Sequence, residues 1–376
     1  MIATSRTDTG TTWPASGMLG APYRVMFPLA AIWAVASVWL WQWGGARFGL
    51  SDPVRWHAHE MLFGLGGAAL MGYLPTASAS WTGRAPVCGW RVMGLAVCWG
   101  AARLGAIAGL GALAPLPFLW LAWLLWSEAR IAGRGQKPGF LAFCIVAGGF
   151  SALVVEGVFP VLPGATLLFA GLFIAVGGRM VPAFLNRAVP GADQGLRADR
   201  AWLGWVGLCS LVTAAPVLAL GWDRAGGVVL AVAGLTQLVR WLCWPLASAC
   251  CEGLLTMLAL GYLWLPLGLV AWAVALAFGA SSTPALHLLL MGGMGGLVMA
   301  VSARAFARRT SIGLRARNGQ IVAFSFVWVS VWLRVAEVLP EAAALWSTGW
   351  GLFLLTMLPG LRGPVPRPVF SGARQP

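Results

Sequence analysis

The 376-residue chain is 59% hydrophobic and only 10% charged, a composition whose surface could not be kept wet as an ordinary soluble domain. Its formal charge of +14 comes from arginines set singly or in pairs between apolar runs. That distribution lacks the interleaved basic and aromatic face of a nucleic-acid binder and excludes nucleic acid as a partner. The partner it implies is a lipid bilayer.

Residues 1–24 are polar and mixed, without the charged-then-apolar-then-small pattern of a cleaved signal, and are expected to form a short cytoplasmic tail. Twelve apolar segments of bilayer-crossing length then follow, at Val25–Gly44, His59–Ala79, Val87–Ile107, Gly111–Trp126, Phe140–Phe159, Ala165–Leu185, Leu203–Leu220, Gly226–Leu246, Leu255–Gly279, Leu286–Phe306, Ile321–Leu339 and Ala343–Leu361. Gly109, Pro115, Pro117 and Pro266 are expected to kink or shorten the third, fourth and ninth. The fold class is therefore all-α: a polytopic membrane helix bundle of about twelve transmembrane helices, one domain over 25–361, with a second cytoplasmic tail over 362–376.

Arginine placement tests the count, because basic residues collect on the cytoplasmic side. Arg6, Arg24, Arg84, Arg91, Arg130, Arg134, Lys137, Arg187, Arg197, Arg200, Arg304, Arg308, Arg309, Arg315, Arg317, Arg362, Arg367 and Arg374 fall on one side of this arrangement. The other side holds little beyond Arg47, Arg55, Arg103 and Arg224. Both termini are expected to be cytoplasmic.

The second segment opens on Trp-His-Ala-His-Glu-Met-Leu-Phe-Gly, Trp56 to Gly64, which holds two of the three histidines; the third, His287, opens the tenth. Both segments run inward from the outer face, so all three imidazoles lie at the same depth. Helical spacing puts His57, Glu60, Met61 and Gly64 on one face and His59 roughly 200° around from His57, so a regular helix cannot offer both to one metal. Either His57 or His59 could pair with His287, with Glu60 orienting His57 through its second nitrogen. The alternative is a set of interfacial histidines bonded to water or backbone.

Met291 and Met294 follow His287 at helical spacing and are either soft ligands or gap-filling side chains. Gly292 and Gly296 have the spacing that brings helices close, and no phosphate loop is spelled. Among the arginines within apolar surroundings, Arg179 and Arg240 could snorkel to the cytoplasm, whereas Arg334, one turn from Glu337 at the outer level, is better placed to clamp an anionic group such as a haem propionate. The seven cysteines include no Cys-x-x-Cys-His, which excludes covalent c-type haem; the vicinal Cys250 and Cys251 could hold cuprous ion or be apolar filler.

The Trp56–Gly64 stretch, Ser80-Trp-Thr-Gly83, Gly177-Gly-Arg-Met-Val-Pro-Ala-Phe184, Gly261-Tyr-Leu-Trp-Leu-Pro-Leu-Gly268 and Leu286-His-Leu with its following glycine run resemble the NnrS family along nearly the whole chain. That resemblance implies a twelve-helix bacterial inner-membrane protein carrying haem and copper and associated with resistance to nitric oxide and nitrosative stress. By implication His57, His59 and His287 become metal ligands, of a b-type haem in particular, with nitric oxide or its metabolites as a partner. Two departures bear on copper. Ala259, in Leu258-Ala-Leu-Gly-Tyr262, stands where the family has a histidine, and Arg309, in Arg308-Arg-Thr-Ser-Ile312, takes the place of another. Haem-copper oxidase core subunits also hold a haem between their second and tenth spans, but three histidines cannot supply their full metal set. A transporter, or a cofactor-free membrane partner that has lost metal ligands, is the competing expectation; Pro28, Pro182, Pro245 and Pro266 show no matching halves.

Overall fold

The computed structural model describes residues 12–44, 52–158, 161–188, 200–310 and 313–370. The expectations for Arg6, Arg47, Arg197 and Arg374 lie outside the described residues. Within them the chain forms 12 helical spans and almost no sheet, an all-α polytopic bundle. Ten are long and apolar enough to cross a membrane. The two outside that group are the second span, 53–82, rich in glycine and hydroxyl side chains, and the eleventh, Asn318–Val335, which carries Asn318, Gln320 and Arg334.

Turn chemistry sets the span ends. Gly83, Gly109, Gly133 and Gly279 close their helices in the left-handed conformation, where a side chain would be strained. Pro115 and Pro117 mark the start of the fourth helix, Leu116–Ala132, because a missing N–H costs nothing in a first turn. Pro266 is different. The expected shortening of the ninth span does not occur: Gly253–Phe278 is one helix with Pro266 inside it. Its most extensive packing is against the eighth, Asp223–Leu242, and such contact holds a proline-bearing helix in place.

Three spans contain a π-helical stretch: Glu60–Gly66 in the second, Phe173–Gly177 in the sixth and Leu288–Gly295 in the tenth. An extra residue per turn widens the helix and re-aims the side chains beside it, which is why such stretches gather at functional sites. His59 immediately precedes the first and His287 the last.

Glycines allow these wide stretches to pack. A Cβ on Gly261 would sit 3.0 Å from the backbone of Gly296, and one on Gly268 would sit 2.6 Å from that of Leu289, so the ninth and tenth spans touch backbone to backbone. Gly292 lies under the Trp264 ring, in keeping with the expected packing role of this glycine run.

The two tails meet at one end. Thr12–Ser16 pairs antiparallel with Pro364–Pro366, and buried Arg24 ties them down by donating to the carbonyls of Gly17, Gly363 and Pro364 at 2.8–2.9 Å. Arg304 donates to the Phe370 carbonyl and Arg309 to that of Val369, each at 2.9 Å. Both ends of the described chain therefore lie on the same side of the bundle, as an even number of crossings requires. At that end Glu128 accepts from Arg84 at 2.9 Å and also from Arg91.

Candidate functional site

At the opposite end, the first, second, sixth, tenth, eleventh and twelfth spans surround a largely apolar cavity of about 570 Å³. His57 and His287 both border it, together with Met61, Met291, Met294 and Arg334. Of the described lining residues, Arg334 alone carries a permanent charge.

The two imidazoles are held differently. His287, half-buried, has its Nδ1 2.8 Å from the carbonyl oxygen of Thr283 one turn earlier. A carbonyl only accepts, so Nδ1 bears the proton and Nε2 keeps its lone pair. His57 lies against the Trp41 ring, with centroids 4.8 Å apart, and its Nδ1 is buried without a hydrogen-bond partner. Asp52 starts the helix that carries it, accepting from the Arg55 backbone N–H at 2.9 Å, and Pro53 follows in the first turn.

His59 faces elsewhere. It is buried and does not border the cavity; its Nδ1 lies 2.8 Å from Glu60 Oε1 and its Nε2 2.9 Å from Ser151 Oγ. Glu60 Oε2 in turn accepts from Arg103 Nη1 at 2.7 Å, closing a buried chain that joins the second, third and fifth spans. The expectation that Glu60 orients His57 is thus replaced: its carboxylate is taken by His59 and Arg103. Each of the two buried charges offsets the other, and the carboxylate is shared with the His59 ring, while Arg103 Nε and Nη2 are buried without a hydrogen-bond partner among the described residues.

Other expected residues divide. Met294 is buried at the cavity wall, and a Cβ on Gly66 would sit 2.8 Å from its sulfur, so the methionine fills the space that glycine leaves. Glu337 is exposed, with a left-handed backbone at φ 60°, and does not border the cavity. Arg179 is exposed on Gly178–Arg187, away from the cavity. Arg240 does not snorkel: it is buried and donates to the Gly178 carbonyl at 2.6 Å. At the two positions where the resemblance leads one to expect histidines, Ala259 is a buried methyl whose carbonyl accepts from Trp241, and Arg309 binds the Val369 carbonyl. Among the described residues no group of three or more His, Cys, Asp or Glu side chains gathers around one point.

Residues that sequence reasoning passed over include Arg103, whose only signal was its position on the arginine-poor side, and Trp41, which gave none. Trp33 and Trp99 brace the second span, Trp99 by donating to the Gly64 carbonyl at 2.9 Å and Trp33 by packing edge-on against it with ring centroids 5.5 Å apart.

In comparisons with known proteins, the family described as NnrS protein matches residues 17–364. No curated protein matches the chain.

Proposed function

The chain belongs to the NnrS family, and from that premise we propose that it is a haem protein of the bacterial inner membrane, acting in the response to nitric oxide, with one b-type haem ligated by His57 and His287. The observation that carries this proposal is that both imidazoles border one apolar cavity of about 570 Å³ which Arg334 also lines. Its size lies in the range of roughly 300–1,000 Å³ typical of cofactor and ligand sites. A haem needs imidazole nitrogens with free lone pairs, an apolar slot for the macrocycle and a cation for its propionates; this wall offers all three. When bound, haem iron supplies a one-electron couple and a coordination position for a diatomic ligand.

The chain's own residues bind and orient. The Thr283 carbonyl fixes the His287 ring and its tautomer, which also raises the basicity of the ligating nitrogen. Trp41 packs at a tilt against His57, and Arg334 would neutralise a haem carboxylate at the cavity wall. Met61, Met291 and Met294 contribute apolar wall that excludes water, with their sulfurs as packing groups. His59 belongs to the scaffold through Glu60 and Ser151 and is not a ligand in this proposal.

Copper does not fit the replaced positions. A methyl at 259 and a guanidinium at 309 donate no lone pair to a metal. The positive-inside pattern supports cytoplasmic termini and, with them, a haem near the periplasmic face.

Purification in mild detergent followed by a visible spectrum tests the proposal. A Soret band with reduced α and β bands of a low-spin b-type haem, at one haem per chain, is the expected result. A colourless folded protein would return the choice to a transporter or a cofactor-free membrane partner.

A further inference from the structure

We propose, resting on the haem reading above, that the two ligands are unequal: His287 is the fixed ligand and His57 the exchangeable one, so that a small uncharged diatomic molecule reaches the iron in place of His57.

The asymmetry lies in what each ring does before any metal arrives. His287 is already in the tautomer a metal needs, its Nδ1–H spent on the Thr283 carbonyl and its Nε2 lone pair available. His57 has no such support, because its Nδ1 is buried without a partner. Ligation through Nε2 requires the proton on Nδ1, where it becomes a buried donor with nothing to accept it. Ligation through Nδ1 requires the ring to turn against the Trp41 contact, because that atom is buried as the ring stands. Either route costs free energy that His287 does not meet. A carboxylate or carbonyl normally holds the second nitrogen of a metal-bound histidine. The one carboxylate in that stretch, Glu60, is committed to His59 and Arg103, so the exception at His57 is built into the fold.

The surroundings indicate what replaces His57. Met61, Leu62 and Leu65 follow it along the same cavity wall, and Val38 and Trp41 face it from the first span. With Arg334 engaged by a propionate, the residues nearest His57 in sequence present apolar surface, which disfavours an anion and accepts a neutral diatomic.

The test uses the haem-bearing protein in detergent, reduced, with carbon monoxide and, separately, azide as probes. His57→Gly is expected to retain haem, to become five-coordinate and high-spin when reduced, and to bind carbon monoxide roughly tenfold to a hundredfold faster than wild type, whose His57 must first leave. Its carbon monoxide adduct is expected to give the same iron–carbon resonance Raman band as wild type, because both keep His287. His287→Gly is expected to lose haem and to regain it with added imidazole. Trp41→Leu provides an independent variant should His57→Gly not fold: it keeps both histidines and is expected to bind carbon monoxide faster without losing haem. Equal carbon monoxide rates in wild type and the variants, or a His287→Gly protein with the wild-type adduct and full haem, would overturn the inference while leaving the haem intact. Tighter binding of azide than of carbon monoxide to the reduced protein would overturn the uncharged class. A wild-type protein without haem would overturn the parent reading and this inference together.

Discussion

Glu60 lies 2.8 Å from the Nδ1 of His59, its neighbour in sequence, and leaves His57, one turn earlier, without a carboxylate. That pairing divides the two histidines of one short motif between scaffold and cavity. The second carboxylate oxygen receives Arg103 from the third span at 2.7 Å, so the scaffold half is an ion pair with a histidine and a serine attached.

Removing one partner of a buried pair leaves an uncompensated charge. Arg103→Leu is therefore expected to destabilise the folded protein by about 3–5 kcal/mol. Thermal unfolding in detergent measures this, with Glu60→Gln introduced into the Arg103→Leu background as the check. The double variant should recover part of the loss, because a neutral amide needs no cation. Equal stability of wild type and Arg103→Leu would mean that the pair does not hold the second and third spans.

The glycine contacts separate packing from composition. Gly268→Ala would drive a methyl to 2.6 Å from the Leu289 backbone and is expected to cost about 1–3 kcal/mol by overpacking. Gly100→Ala, where nothing lies within 4 Å, is expected to be neutral or slightly stabilising, since alanine is the better helix former. Thermal denaturation of both, side by side, checks the pair.

Sidedness follows from the arginine pattern and from the pairing of the two tails. Reporter fusions after Pro138 and after Asp52 are expected to give opposite compartments, cytoplasmic and periplasmic respectively. The same compartment for both would end the twelve-span arrangement.

The Arg308–Thr310 strand is expected to anchor the bundle and not to hold a cofactor. Arg308→Gln with Arg309→Gln removes the bond to the Val369 carbonyl and loosens the C-terminal tail, but is expected to leave haem content per folded protein unchanged. Loss of haem without loss of folded protein would give a metal role to position 309, where the resemblance leads one to expect a histidine.

What the sequence made legible follows from local physics. Bilayer-length apolar runs located the spans, and the 3.6-residue turn separated His57 from His59. The site was legible only in part. His287, Met291, Met294 and Arg334 do border the same cavity as His57, but the partner of Glu60 was not readable, because it depends on a residue 43 positions away on another span. The π-helical stretches have no signature in hydrophobic period and shift side-chain directions after His59 and His287. Pro266 misled because its helix is held by its neighbours and not by its own sequence. Arg24, read only as a topology charge, joins the two tails through backbone carbonyls that no pattern of side chains announces.

The most direct measurement is haem per folded protein, with the low-spin spectrum, in His57→Ala, His59→Ala and His287→Ala made separately. His287→Ala is expected to lose haem, His57→Ala to lose the low-spin spectrum, and a folded His59→Ala protein to keep both. Full haem with an unchanged spectrum in His287→Ala, or loss of the low-spin signal in a folded His59→Ala protein with His57→Ala unaffected, would contradict that expectation.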